Sequence, residues 1–337
     1  MITATAPGKV VLSGEYVVIE GAPAIAAAIN RRVRVTVAHK PGDHHSVTAP
    51  GYMDGTWHFR LNKSGGFAWR EPLPEPATFS LVEEIWKCFD SAHWPSLSIS
   101  IDTQEFYDKA SGLKLGLGSS AAVSVALTAA LQRFSAAGSD PARLAMDAHG
   151  RFQGGHGSGV DVAASLQGGV IEYRRAVAAS RQVGWPGNLD YRFLWSGQSA
   201  ATTEKLARFR GRRGQDAIHD SMKLLSDSAE DVASAWSCED SRKIMDSLRA
   251  YIDALRHFSV DLDLGIFDAG HERLVDLAAD SGMIYKPCGA GGGDVGVAIA
   301  ASEKAVNDFC DRASQQGFKS LDIAADVQGV LIAEKRF

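Results

Sequence analysis

Gly116-Leu117-Gly118-Ser119-Ser120-Ala121-Ala122 stands directly before an apolar, Ala-rich stretch over residues 119–134. Glycine lets the backbone adopt φ > 0 and lets N–H groups come close to a ligand, which is why phosphate loops use it. Residues 119–134 read as a buried helix, whose N-terminus offers unpaired N–H donors and the positive end of the macrodipole. Ser119 and Ser120 add two hydroxyls for a phosphate or for Mg2+. The loop also fits G-x-G-x-x-A, the dinucleotide-binding variant. Against that reading, residues 111–115 before it make a poor strand and no βαβ unit follows. A tight turn with a serine N-cap is the third possibility. No Gly-Lys-Ser/Thr closes the loop, so it is not a Walker A sequence.

Upstream, residues 2–12, 32–37 and 97–101 alternate polar and apolar with period two and read as strands. Downstream, residues 141–152 read as a helix with Asp140 as N-cap and Pro141 at its first position, followed by a glycine-rich loop over 154–159. Residues 174–190 hold several breakers and suggest a domain boundary. Beyond them, helices are expected over 203–209, 215–229, 240–258 and 266–281. A strand over 295–300, a helix from Ser302 and closing strands near Leu321 and Leu331 complete the chain. Helices and strands interleave in both halves, which is α+β rather than a regular βαβ series.

The chain has 337 residues, room for two domains, with 45% hydrophobic and 22% charged residues. Its formal net charge of −5 argues against nucleic acid as the main partner, while leaving room for a locally positive pocket that takes a small phosphorylated ligand. Cys88, Cys238, Cys288 and Cys310 form no C-x-x-C pair, so neither a disulfide framework nor a zinc site is expected. Neither a secretory leader nor a stretch of membrane-spanning length is read, so a cytoplasmic protein without membrane contact is expected. Oligomeric state has no signature in the sequence.

Two further glycine-bearing segments complete a pattern. Ala6-Pro7-Gly8-Lys9 is followed by Ser13-Gly14-Glu15-Tyr16, and Lys286-Pro287-Cys288-Gly289-Ala290-Gly291-Gly292-Gly293-Asp294 lies near the other end. In order and content, the three segments resemble the motifs of the GHMP kinases: Pro-Gly-Lys, Gly-Leu-Gly-Ser-Ser-Ala and Gly-Ala-Gly-Gly-Gly. The resemblance implies a two-domain α+β GHMP kinase fold. An N-terminal domain like ribosomal protein S5 domain 2 (residues 1–185, binding ATP) would precede a ferredoxin-like C-terminal domain (residues 186–337), with the site between them.

Within that family the details resemble the phosphomevalonate kinase branch. They are Gly14-Glu15-Tyr16, the ending Gly293-Asp294, the run Gly157-Ser158-Gly159-Val160-Asp161, and Trp195-Ser196-Gly197-Gln198. ATP-dependent phosphorylation of 5-phosphomevalonate is thereby implied, with mevalonate kinase, or a dinucleotide-dependent oxidoreductase built on the central loop, as alternatives. Gly155 and Val160 stand where that branch has a lysine and an aromatic. No glutamate lies upstream of Asp161 at the spacing mevalonate kinases use for Mg2+.

The resemblance places Lys9 and Asp161 as catalytic residues. It assigns Lys114, Gly116, Gly118, Ser119 and Ser120 to ATP, Ser120 also to Mg2+, and Tyr16, His156, Ser158, Gly291, Gly292 and Gly293 to the acceptor. Plainer readings stand beside these. Asp161 suits a helix N-cap before the apolar residues 162–166, and Lys9 suits a solvated turn. Arg208, Arg210, Arg212 and Arg213 read as a solvated face. Residues 64–76 are a possible lid with the Pro/Gly content of any exposed connection.

Overall fold

The period-two stretches at the N-terminus form the two longest strands, β1 (Ile2–Ser13) and β2 (Ala24–His39), paired antiparallel. A meander of β3 (His45–Ala49), β4 (Met53–Leu61) and β5 (Phe67–Trp69) follows, then α1 (Ser80–Trp86) and β6 (Leu97–Asp102). Next come α2 (Ser119–Ser135), α3 (Pro141–Phe152), α4 (Val160–Gln167) and the hairpin of β7 (Val170–Arg174) with β8 (Ala179–Gln182). The second half holds β9 (Asp190–Trp195), α5 (Thr202–Arg212), α6 (His219–Ser237), α7 (Ser241–Asp261) and α8 (His271–Ala279). It ends with β10 (Ile284–Pro287), β11 (Val295–Ala300), α9 (Glu303–Ser314), β12 (Lys319–Leu321) and β13 (Leu331–Glu334). This computed structural model describes all residues except 63–64, 92, 136–137, 139, 156, 178, 201, 213–217 and 336–337.

The strands make two sheets. The first runs β13-β1-β2-β6-β3-β4-β5, with β7 joined to β2 and β8 to β7; the second runs β10-β11-β9-β12. Among the described strands, β3 with β6 is the one parallel pair. Among the described residues there is therefore no parallel βαβ frame of the kind on which a dinucleotide fold positions its glycine loop. The α+β expectation holds, and the central loop is not part of a Rossmann unit. Helices α2 and α4 lie on β1 and β2, and Ala121, Ala122, Ala126 and Ala130 give α2 the small side chains that close approach requires. We propose the division 1–185 and 186–337 on the two sheets, with the tail strand β13 returning to pair with β1.

Where the structure departs from expectation, the causes are local. The helix expected over 266–281 begins only at His271, because Ala269 (φ 56°) and Gly270 (φ 87°) are left-handed and cannot continue a right-handed helix. Strand β2 extends well upstream of Arg32; its first residues, Ala24 to Ala28, are buried throughout and carry no alternation to read. The helix expected from residue 215 is α6, starting at His219, with 213–217 outside the described residues. The possible lid contains β5, which pairs with β4 and brings Phe67 and Trp69 against Phe59. Its first residue, Ser64, lies outside the described residues. Among the described residues, no helix is long and apolar enough to cross a membrane.

Two buried histidines give the fold an acid limit. His45 is stacked on Phe59, with Nδ1 accepting from Leu97 N–H (3.1 Å). His271 lies between the Tyr285 hydroxyl (2.9 Å) and the Gly293 carbonyl (3.0 Å). Burial lowers both from 6.5 to about 4. Between those values the unfolded chain binds these protons and the fold does not, so stability falls as pH drops from 6.5 to 4 and is complete above that window. The loss is on the order of 2–3 kcal/mol per histidine. Urea unfolding at about pH 7 and about pH 4.5 should show a clearly lower midpoint in acid. Equal midpoints would contradict this assignment.

Candidate active site

Lys9 reaches the site from a strand, not from a loop. β1 shifts register between Pro7 and Gly8, a bulge at the point where proline cannot donate to the ladder. Immediately after it, Lys9 N–H donates to the Leu117 carbonyl (2.9 Å), fastening β1 to the central glycine loop. The lysine stem then crosses Gly118, where a β-carbon would sit 2.8 Å from Lys9 Cε. Gly118 is also at φ 78°, so both space and conformation exclude a side chain there. Lys9 Nζ ends 3.1 Å from Asp161 Oδ1.

Asp161 stands in the first turn of α4, whose N-cap is Gly159 in the left-handed region. Its carboxylate is therefore not consumed in capping and is held by Lys9. His149, buried on α3, is 3.3 Å from Ser120 Oγ through Nε2. Burial pushes its pKa below the ordinary value, with Asp161 opposing and Lys9 reinforcing the shift. Burial favours the neutral ring beside the pair.

Two cavities, of about 420 and 330 Å³, share Lys9, Asp161, Gln153, Gly289 and Ala290 in their walls. The smaller is lined by Lys114, Gly116, Gly118, Ser119, Ser120 and Asp294. Ala122 N–H is the first of α2 to bond back, to the Gly118 carbonyl (3.2 Å), so the N–H groups before it have no intrahelical acceptor. Asp294 comes from the third loop with φ 53° and presses on Gly116, where a β-carbon would fall 2.2 Å from its Cγ. Its Oδ1 accepts from Ala200 N–H (3.2 Å). Burial raises the Asp294 pKa, against the pull of Lys9 and Lys114; burial lowers that of Lys114, against the pull of Asp294. A third, apolar cavity of about 170 Å³, lined by Tyr52, Phe79, Val82 and Tyr107, opens on Lys114, Ser119 and Ser120.

The larger cavity is lined by Tyr16, Ser158, Val160, Phe152 and Arg210, beside the shared residues. Tyr16 sits at φ 64°, in a γ-turn closed by Val17 N–H to the Glu15 carbonyl (2.7 Å). Its hydroxyl donates to the Ala290 carbonyl (2.8 Å) and its ring packs edge-on against Phe209. Behind it lies a buried ion pair. Lys286 Nζ is 2.6 Å from Glu15 Oε1, Tyr251 donates to Glu15 Oε2 (2.7 Å), and Gly14 N–H donates to Tyr251 (2.8 Å). Lys286 is 1% exposed and Glu15 2%, so this network joins β10 and α7 to the first motif without touching solvent.

Lys9, Asp161, Lys114, Gly116, Gly118, Ser119, Ser120, Tyr16 and Ser158 thus meet around one pair of cavities. Gly291, Gly292 and Gly293, expected on the acceptor side, line neither cavity. Gly291 packs on the Ile266 carbonyl, Gly292 on Lys205 Nζ, and Gly293 on the backbone of residues 198–200. They let the third loop turn, and Gly289 and Ala290 do the lining. His156 lies outside the described residues. Gly155, exposed at φ 80°, lines neither cavity. Sequence reading missed His149, Gln153, Asp294 and Arg210 as wall residues. Asp294 was visible as a departure from an all-glycine loop, and Arg210 follows Thr202 and Leu206 at helical spacing.

Comparison with known proteins agrees with this arrangement. Residues 80–169 match the family described as GHMP kinases N terminal domain. The chain is 28% identical to the phosphomevalonate kinase of Streptomyces sp. (strain CL190), covering 96% of this chain and 97% of that protein. It is 29% identical to the mevalonate kinase of Methanothermobacter thermautotrophicus, covering 98% and 99%. Its fold is similar to Streptococcus pneumoniae phosphomevalonate kinase in complex with phosphomevalonate and AMPPNP, with TM-score 0.78, 20% identity and coverage of 96% and 100%. These comparisons lend the oxidoreductase reading no support. The match over residues 80–169 and the similarity to these kinases over nearly the whole chain support a phosphotransferase of the GHMP kinase type.

Proposed function

We propose that the protein is a mevalonate-pathway kinase that transfers the γ-phosphoryl group of ATP to the phosphate of 5-phosphomevalonate, giving 5-diphosphomevalonate and ADP. The observation carrying this reading is the Lys9–Asp161 pair in the wall common to a phosphate-loop cavity and a second, acceptor-sized cavity. The triphosphate lies over the N-terminus of α2, against Lys114, Gly116, Gly118, Ser119 and Ser120, with the base in the adjoining apolar cavity. Mg2+ suits this wall: Ser120 and Asp294 offer hard oxygen donors, and such an ion is usually held by one or two protein oxygens plus substrate phosphates. When bound it would neutralise charge on the phosphate oxygens.

Transfer forms a bond from an acceptor-phosphate oxygen to the γ-phosphorus. The bond from that phosphorus to the β–γ bridging oxygen breaks, and its electron pair leaves with ADP. A phosphomonoester has its second pKa near about 6, so the attacking oxygen is already largely ionised at neutral pH. It needs orientation and charge cover more than a strong base. Lys9 supplies the charge cover, and Asp161 fixes Lys9 and accepts any remaining proton. Tyr16 and Ser158 shape the acceptor side, and Gly291, Gly292 and Gly293 set the third loop behind them.

Mevalonate kinase activity is the second reading, favoured by the Methanothermobacter relative. It would ask more of Asp161, since an alcohol must lose its proton during attack. ADP release by the purified protein with Mg-ATP, with 5-phosphomevalonate and mevalonate compared side by side, separates the two. Turnover with phosphomevalonate alone is expected. Turnover with mevalonate alone would move the acceptor and overturn the reading.

A further inference from the structure

The described arginines of α5, Arg208, Arg210 and Arg212, are not one solvated face. Thr202, Leu206 and Arg210 recur every four residues, on one side of α5, and all three line the larger cavity. Arg208 is on another side, ion-paired with Asp263 (2.9 Å). Arg213 lies outside the described residues. Arg210 lines the larger cavity and not the smaller, whereas Lys9 and Asp161 line both.

Among the described residues its guanidinium has no counter-charge. Nε of Arg210 is buried with no hydrogen-bond partner, and Arg210 makes no ion pair among the described residues. The two carboxylates in the same cavity wall are committed elsewhere, Glu15 to Lys286 and Tyr251, and Asp161 to Lys9. A buried guanidinium N–H left unpaired costs free energy unless a ligand satisfies it. Val11, Val18, Ile19, Phe152 and Leu206 supply the apolar part of the wall, beside the uncharged polar Tyr16, Gln153, Ser158 and Thr202. Such a cavity suits a short aliphatic molecule with an anion at each end.

We propose that Arg210 is the specificity residue of the acceptor cavity, binding a carboxylate at the end of the acceptor opposite the atom that receives the phosphoryl group. The planar guanidinium fork matches a carboxylate with two parallel hydrogen bonds, which a lysine cannot reproduce. This assignment rests on the proposed function for which end of the acceptor meets Lys9. It goes beyond that reading in naming the group that selects the other end.

The test compares wild type, Arg210→Met and Arg210→Lys on 5-phosphomevalonate and on the analogue whose carboxylate is replaced by a hydroxymethyl group. Arg210→Met should raise KM for the carboxylate acceptor by about 100-fold, as expected for losing one partner of a buried charge pair. KM for ATP should stay within about twofold, and Arg210→Lys should recover only part of the loss. On the analogue, wild type and Arg210→Met should have the same KM. An unchanged acceptor KM in Arg210→Met, or an equal rise with the analogue, would overturn the assignment. If only mevalonate is phosphorylated, the proposed reaction falls, and the same comparison with mevalonate and its hydroxymethyl analogue still decides Arg210. Silence with both acceptors overturns both.

Discussion

Asp161→Asn will lower kcat by at least about 100-fold while leaving the melting temperature within a few degrees of wild type. The substitution preserves shape and removes charge. Helix α4 keeps its N-cap, because Gly159 and not Asp161 fills that position, and the first-turn charge contributes only about 0.3–1 kcal/mol. Lys9 does depend on it, since its ammonium is held 3.1 Å from Asp161 Oδ1 where the two cavities meet. Without the carboxylate, Lys9 is free to pair with a phosphate in the ground state, and the acceptor oxygen loses the group that orients it. KM values should move far less than kcat, the signature of an interaction made in the transition state. Single-turnover kinetics with a thermal melt of the same preparation checks both halves. Near-normal kcat in a folded variant removes Asp161 from catalysis.

Lys286→Met will cost about 3–5 kcal/mol of stability, the largest loss expected of any single substitution in the site. Its ammonium is the counter-charge of Glu15, and both side chains are sealed from water. Removing it leaves a buried carboxylate with the Tyr251 hydroxyl as its remaining polar contact. The double variant Glu15→Gln with Lys286→Met should recover a good part of that loss, because no buried charge remains. Denaturant unfolding of the single and double variants gives the comparison. A single variant as stable as wild type would mean that the pair does not hold the halves together.

How much of this was legible follows from how local each feature is. The central loop and α2 could be read because glycines, paired serines and an apolar run are contiguous and each has a local physical meaning. Asp140 capping α3 was legible for the same reason, and its side chain accepts from Ala142 N–H (3.0 Å). The meeting of Lys9 with Asp161 came only from family resemblance, since no periodicity links a strand residue to a helix residue so far along the chain. Gly291 to Gly293 were misplaced because glycine content says that something approaches closely, not what. In the fold it is largely backbone and Lys205 that approach, rather than open cavity. Arg210 was submerged in a run of arginines whose average is a solvated face, although spacing by four from Thr202 and Leu206 would have singled it out. The Glu15–Lys286 pair joins residues at opposite ends of the sequence, and no local rule finds it.

Phosphorus NMR of the product formed from 5-phosphomevalonate and Mg-ATP tests the central claim most directly, because it reads which oxygen received the phosphoryl group. Two mutually coupled doublets that belong neither to ADP nor to ATP are expected, the mark of a new diphosphate on the acceptor. A new phosphomonoester singlet, with the original phosphate unchanged, would place the transfer on a hydroxyl and contradict the account.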